Sequence, residues 1–238
     1  MGVSRLNEKD LRLVMVLNSE IKVNGPGALY LISAKYTNLV RVNLVLLKAL
    51  LDEKKKKGIM ITIDRPHQYV SHLLQLHGID QNGLVFVDAI SSHSSDTKGG
   101  SVASEFQRGP FQIETLADFL SGGNGTSIGA SSDLTEAEFI VLDNVATLLT
   151  YNSMESVQAF LSKFVTLVMK NKHGHIVTAL VMDKDLHGQL FEYISGIADM
   201  VIELTPDMQV RQMAPGSAKV SVAPGAQAGV EVKDVIGA

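Results

Sequence analysis

The chain has 238 residues, a formal net charge of −4 and no cysteine. With 45% hydrophobic and 19% charged residues it has the composition of a folded protein, which excludes a mostly disordered or collagen-like chain. The absence of cysteine excludes disulfides and thiolate metal sites, and the acidic balance with only 5% aromatic residues argues against a nucleic-acid binder.

The chain begins with a segment, 7–23, in which Leu11, Val14 and Leu17 share one side of a predicted helix. Six short runs follow that are apolar almost throughout, a pattern typical of strands buried on both faces. The predicted strands cover 28–33, 58–64, 84–89, 138–143, 176–182 and 200–204. Apolar positions three and four apart predict helices over 38–57, 66–77, 113–120, 154–172 and 186–195.

This alternation of strand and helix predicts an α/β protein with an open, mostly parallel sheet and helices on both faces, in three layers. We divide the chain into a leading helix over 1–24, a core over 25–205 and a C-terminal segment over 206–238, expected to be an edge hairpin or disordered. Two Ser- and Gly-rich stretches, 91–110 and 122–133, are expected to be loops. The lysine run 54–57 is expected to be a solvated helix end that stops at Gly58.

The turn after the first strand is informative because ligands of such sheets bind at the carboxyl ends of the strands. In nucleotide-binding proteins this turn carries G-x-x-x-x-G-K-[ST]. Its glycines let backbone N–H groups surround a phosphate, its lysine neutralises phosphate charge and its hydroxyl binds Mg²⁺. Here Ala34 and Leu39 stand at the glycine positions, Val40 at the lysine and Arg41 at the hydroxyl residue. We therefore expect no ATP or Mg²⁺ cofactor in the usual pose.

A weak anion contact at this turn remains open. The helix that follows is expected to have Thr37 or Asn38 as its N-cap, and a helix N-terminus attracts anions. The candidate residues for such a contact are Lys35, Tyr36, Thr37, Asn38 and Arg41. An ordinary N-cap without a ligand is the alternative.

Two other strand ends carry carboxylates. The fourth predicted strand ends in FIVLD, the form of a Walker B segment, whose final Asp143 would order the metal in an intact nucleotide site. An Asp that caps the turn after a buried strand is the alternative. The second strand ends in Asp64, followed by Arg65, and we take both as further candidates.

Histidine and serine give no catalytic pattern. His67, His72 and His77 lie five apart and so do not share one helix face, and we expect no metal site. The His173 and His175 pair flanks a turn glycine, and the serines around His93 have no positioned acid. The glycine cluster 122–129 precedes a strand, which is the wrong context for a phosphate loop.

The order of these segments, with the strings VDAIS at 87–91, DNVATLLTY at 143–151 and DMVIEL at 199–204, resembles the RecA-like ATPase domain of the archaeal KaiC-like family over residues 25–204. The resemblance implies a RecA-like P-loop NTPase fold, with Asp143 at the family's metal-associated position. Active relatives carry a complete Walker A motif and a carboxylate pair after the second strand, where this chain has Asp64 and Arg65. We interpret the chain as a degenerate member that lacks Walker A, a pseudo-ATPase.

From this resemblance we expect a non-catalytic regulatory or scaffolding protein, in signal transduction, that binds protein partners or forms homo-oligomers. The alternative is a residual or altered ATPase that uses Asp64 and Asp143 with Arg65 or Lys35. Nucleic-acid binding by the lysine run 54–57 is a third hypothesis, and the net charge weighs against it. No apolar run reaches the ~20 residues of a membrane-spanning helix, so we expect a cytoplasmic protein that does not bind membranes.

Overall fold

The described residues form one eight-stranded sheet. The structure, a computed structural model, describes residues 6–23, 27–89, 104–106, 137–170 and 176–216. Its strands are Ala28–Ser33 (β1), Gly58–Thr62 (β2), Leu84–Asp88 (β3), Ser104–Phe106 (β4), Phe139–Leu142 (β5), Val177–Met182 (β6), Met200–Leu204 (β7) and Val210–Pro215 (β8). The strand order is β4-β3-β2-β5-β6-β1-β7-β8, and among these strands only β8 runs antiparallel to its neighbour.

Helices connect most of the strands. They are Glu8–Glu20 (α1), Leu39–Leu47 (α2), His67–Leu76 (α3), Met154–Lys170 (α4) and Gly188–Ile197 (α5). A π-helical segment, Lys48–Glu53, continues α2, and 3-10 turns occupy Tyr36–Asn38 and Val145–Thr150. None of the described helices combines the length and the apolar character needed to cross a bilayer.

Helices cover both faces of the sheet. Residues of α1, α2 and α3 pack in one hydrophobic cluster, and residues of α4 and α5 pack in a second cluster on the other face. In β1, Tyr30 and Ile32 belong to the first cluster while Leu29 and Leu31 belong to the second. Because both faces of the central strands are buried, these strands are apolar almost throughout. The predicted α/β class with a three-layer arrangement is confirmed.

The short strand β4 is absent from the sequence-based prediction. It lies within 91–110, which we expected to be a loop, yet Ser104 pairs in parallel register with Phe86 of β3. Three residues are too few to show a hydrophobic period. In the C-terminal segment, β8 pairs with β7, whereas 217–238, the predicted helix 113–120 and the stretch 122–133 lie outside the described residues.

The end of the second helical segment differs from the prediction. The helix ends at Glu53, and Lys55 then adopts a left-handed φ of 55°, so Gly58 does not terminate it. Gly58 is instead the first residue of β2, where a Cβ atom would lie 2.4 Å from the ring of Phe139. Glycine is needed there because the two strands approach closely at this ring.

The lysine run is partly engaged within the protein rather than fully solvated. The Nζ of Lys54 donates to the carbonyl of Asn18 near the end of α1 at 2.6 Å, and burial lowers the pKa of Lys54. The Nζ of Lys56 pairs with Glu138 at 2.7 Å, just before β5. Two of the four lysines thus connect neighbouring elements, which weakens the interpretation of the run as a solvated helix end.

An ion pair attaches α1 to α2. Arg41, in the first turn of α2, directs its Nε to Oδ1 of Asp10 at 2.5 Å. Asp10 is buried and also completes a capping box with Asn7, in which each side chain accepts from the other's backbone N–H. Arg41 therefore holds the first turn of α1 against the core.

We expect Arg41→Met to destabilise the fold by roughly 2 kcal/mol, because it leaves the buried carboxylate of Asp10 without its cation. The cost stays below that of a fully buried pair since Arg41 is 35% exposed. Arg12→Met is the matched control: Arg12 pairs with Glu8 on the same helix but is 75% exposed, so its loss should change stability by less than about 0.5 kcal/mol. Urea unfolding measures both, and equal effects would contradict the role of Arg41.

Candidate functional site

Four neighbouring strands, β2, β5, β6 and β1, end at the same edge of the sheet, and the helices that follow them leave in opposite directions. α2 and α3 follow β1 and β2 onto one face, while α4 and α5 follow β5 and β6 onto the other. Such a reversal opens a crevice in which open α/β sheets bind ligands. A cavity of about 170 Å³ lies there, and all four strand ends contribute polar residues to its lining, among them Tyr36, Asp64, Asn144, Thr147, Asp183 and His187.

Carboxylates from the segment after β6 bind the turn after β1. The backbone N–H of Tyr36 donates to Oδ2 of Asp183 at 2.7 Å, and Oδ1 of Asp183 accepts from the N–H of Asp185 at 2.9 Å. Lys35 forms an ion pair with Asp185, and this hydrogen bond raises the pKa of Lys35 and lowers that of Asp185. Two donors that an anion would meet at this turn, the Tyr36 N–H and the Lys35 ammonium, are therefore already bonded to carboxylates of the same chain.

The expected N-cap of α2 does not form. The side chain of Asn38 makes no capping bond, and its Nδ2 donates instead to the carbonyl of Pro206 at 2.8 Å. Thr37 lies inside the 3-10 turn, and Arg41 is directed to Asp10. Of the five residues predicted for an anion contact, Tyr36 alone lines the cavity. A weak anion contact at this turn stays a prediction.

Asp143 acts as a buried cap for two chain segments. Its Oδ1 accepts from the backbone N–H of Ile63 and of Asn144, both at 2.8 Å, and its carboxylate also accepts more weakly from the N–H of Asp64. The carbonyl of Asp143 accepts from Nδ2 of Asn43 on α2 at 3.0 Å. Burial raises the pKa of Asp143 to about 7, and the nearby charge of Asp64 contributes to the rise. This geometry is that of an Asp capping the turn after a strand.

Asp64 and Arg65 form an ion pair, but Asp64 alone of the two lines the cavity. Asp64 lines the cavity, and its Oδ1 accepts from the hydroxyl of Thr147 at 3.0 Å. Arg65 has its Nε 3.5 Å from Oδ2 of Asp64, and its guanidinium lies over the ring of Tyr69 at 5.3 Å from the centroid. The structure therefore brings Asp64 and Tyr36 to the cavity and turns Arg65 toward α3.

Several residues of this edge were missed by sequence reasoning. Asp183 and Asp185 belong to the string MDKD at 182–185, directly after a strand that the sequence does predict. Because the carboxyl ends of parallel strands meet at one edge, that string could have predicted that these two carboxylates lie at the site. Asn144 and Thr147 lie in the DNVATLLTY string and were used there only for the resemblance.

The histidine sequence pattern leads to no metal site in the described part of the chain. There, no group of three or more His, Asp or Glu residues is placed to hold an ion. His67 is buried, and its Nδ1 lies 2.7 Å from Oδ2 of Asp88, which also accepts from the backbone N–H of His67. His93, His173 and His175 lie outside the described residues.

Comparison with solved structures shows the fold. A KaiC-like protein from the hyperthermophilic archaeon Pyrococcus horikoshii OT3 is similar with a TM-score of 0.52 and 15% identity, over 75% of this chain and 73% of that one. An uncharacterised protein of Pyrococcus horikoshii, solved in complex with an unknown peptide, is similar with a TM-score of 0.58 and 14% identity, over 80% of this chain and 82% of that one. No family model and no curated protein matches the sequence. The chain thus has a RecA-like α/β fold shared with a KaiC-like protein.

The raised pKa of Asp143 predicts a specific pH dependence. The folded protein keeps the Asp143 proton up to about pH 7, whereas the unfolded chain loses it near pH 4, so stability should fall as pH rises between these values, by about 1.4 kcal/mol per unit. In Asp143→Asn the amide oxygen can still accept from Ile63 and Asn144, and this fall should disappear.

Urea unfolding of both proteins at about pH 5 and about pH 7.5 measures this difference. Asp52→Asn is the control: Asp52 pairs with Lys48 near the opposite edge of the sheet, and the variant should keep the wild-type slope. An unchanged slope in Asp143→Asn would show that Asp143 ionises in the folded protein as it does in the unfolded chain.

Proposed function

We propose that this protein is a non-catalytic RecA-like protein, a pseudo-ATPase that works by binding protein partners or copies of itself in a regulatory or scaffolding role, within signal transduction. The single observation that carries the proposal is the bond from the Tyr36 N–H to Asp183. A carboxylate of the chain occupies the donor that a phosphate would need at the turn after β1.

The charge of the cavity supports this proposal. Asp64 and Asp183 line it, and the backbone N–H of Asp64 donates to the buried carboxyl of Asp143. Lys35, the nearest lysine of the turn, is held by Asp185. Carboxylates repel the phosphates of a nucleotide, so the cavity favours ligands of the opposite charge.

The size of the cavity also argues against a nucleotide ligand. Its volume of about 170 Å³ is well below the roughly 300–1,000 Å³ of pockets that enclose a whole small-molecule ligand. A nucleotide would have to displace the bonds that hold the turn after β1. A side chain of a protein partner needs no such change.

A structural neighbour supports a peptide as the class of ligand. The uncharacterised Pyrococcus protein of the same fold was solved in complex with an unknown peptide. Recognition of a polypeptide segment by this fold agrees with a binding role for the present chain, whose strand-end cavity is of side-chain size.

One observation favours the alternative of a residual or altered nucleotide enzyme. Asp64 lines the cavity, and Asp143 lies next to it in the Walker B position. Oδ1 of Asp143 already accepts from two backbone N–H groups, and these bonds would compete with the ordering of a metal. A nucleotide enzyme of this kind would release phosphate, and the release would disappear in Asp143→Ala.

Thermal unfolding with and without Mg-ATP tests the proposal. A ligand at 100 times its Kd stabilises the folded state by about 2.7 kcal/mol, so Mg-ATP at about 1 mM would raise Tm by several degrees if its Kd were about 10 μM. We expect no rise beyond that caused by MgCl₂ with sodium triphosphate, the matched ionic control. A magnesium-dependent rise specific to ATP, or phosphate release that Asp143→Ala abolishes, would overturn the proposal.

A further inference from the structure

We propose that the strand-end cavity binds the cationic side chain of a lysine or arginine in a peptide segment of a protein partner. This inference rests on the proposed binding function and specifies its ligand. It follows from three features of the cavity: a lining with two carboxylates and, among the described residues, no lysine or arginine, an unpartnered buried amide oxygen and an apolar rim.

Asp183 supplies negative charge to a cavity whose described lining contains no lysine or arginine. Lys35 is close enough for Asp183 to contribute to its raised pKa, but its ion pair is with Asp185. The two hydrogen-bond donors to Asp183, the N–H groups of Tyr36 and Asp185, are neutral. A carboxylate offers about four lone-pair sites, so Asp183 keeps acceptor capacity beyond these two bonds. Asp64 adds a second carboxylate to the same cavity; its Oδ1 accepts from the Thr147 hydroxyl, and its Oδ2 lies 3.5 Å from the Nε of Arg65, which is outside the cavity lining.

Asn144 is the second and independent observation. It lines the cavity, is 4% exposed, and its Oδ1 has no hydrogen-bond partner among the described residues. A buried acceptor left without a donor destabilises the folded protein, and a ligand that supplies a donor can remove that cost. Ammonium and guanidinium groups carry only donors, and so match an acceptor set of two carboxylates and an amide oxygen.

The rim of the cavity suits the carbon chain that carries such a group. Tyr36 and Leu186 both line the cavity and are 47% and 60% exposed. Lysine and arginine place their methylene stems along apolar surface while the charged end is solvated or paired, and a tyrosine ring also attracts a cation. A bare metal ion would make no use of this rim. In the described chain no set of three His, Asp or Glu residues is placed to hold one.

Peptide titrations test the inference with the full chain. The probes are capped pentapeptides, Gly-Ala-X-Ala-Gly, in which X is lysine, arginine or norleucine, together with n-butylammonium as the free amine. Binding is followed by ¹⁵N-¹H spectra up to about 10 mM of each probe, because a single buried side chain is expected to bind weakly. We expect the lysine and arginine peptides to shift the amides of the strand-end segments, with no response to the norleucine peptide.

Two pairs of variants locate the site. Asp64→Asn keeps an acceptor for Thr147. It should lower the affinity for the cationic peptides about tenfold, since it removes one charge-assisted contact. Asp52→Asn removes a carboxylate of similar burial, 15% exposed against 17% for Asp64, near the opposite edge, and should leave binding unchanged. Leu186→Lys should also weaken binding by placing a cation at the rim, while Leu186→Gln should not; both act at an exposed position that folding tolerates.

The outcomes are separable from those of the proposed function. The inference is supported if the lysine and arginine peptides bind more weakly to Asp64→Asn and Leu186→Lys and bind unchanged to Asp52→Asn and Leu186→Gln. Equal affinity of the norleucine peptide, equal losses in Asp64→Asn and Asp52→Asn, or no binding of the lysine and arginine peptides would overturn it. So would n-butylammonium binding as tightly as the peptides, because the site would then serve a small amine. In each of these cases the absence of a response to Mg-ATP would still support the non-catalytic role, because that test does not depend on peptide binding.

Discussion

The bond between the Tyr36 N–H and the Asp183 carboxylate determines which ligands this edge of the sheet can bind. Its origin lies in the register of two adjacent parallel strands, because Ser33 at the end of β1 pairs with Met182 at the end of β6. The N–H of Ala34 continues this pairing by donating to the Met182 carbonyl at 3.0 Å. The segments that follow the two strands therefore run side by side, and the side chain of Asp183, the first residue after β6, accepts from the N–H of Tyr36.

The same edge concentrates negative charge. Asp64, Asp143 and Asp183 follow three of the four strands that end there. Backbone N–H groups hold Asp143 and Asp183, so these carboxylates organise the turns between strands and helices. Burial raises the pKa of Asp143 to about 7, which removes part of the repulsion from Asp64 at and below neutral pH. A site suited to phosphate has free N–H donors and cations directed at the ligand, whereas here the Tyr36 N–H and the Lys35 ammonium are bonded to carboxylates of the chain.

The sequence predicts the fold well because burial on both faces makes the central strands apolar throughout, and all six predicted strands are present within two residues of their ends. It does not predict β4, which is three residues long and forms only by pairing with β3. The candidate site is predicted less completely. Sequence order places Arg41 beside the turn after β1, but its partner Asp10 lies 31 residues earlier in the chain. Such a contact depends on how α1 packs on α2, which no local pattern contains.

The exchange rate of the Tyr36 amide, read from ¹⁵N-¹H spectra, tests most directly whether the turn is held by Asp183. If it is, this amide is protected from hydrogen exchange although Tyr36 is 47% exposed, its resonance does not move when Mg-ATP is added, and Asp183→Ala removes the protection. A Tyr36 amide that exchanges as fast as an unbonded loop amide in the wild type, and whose resonance shifts on addition of Mg-ATP, would contradict this picture and would favour a nucleotide site.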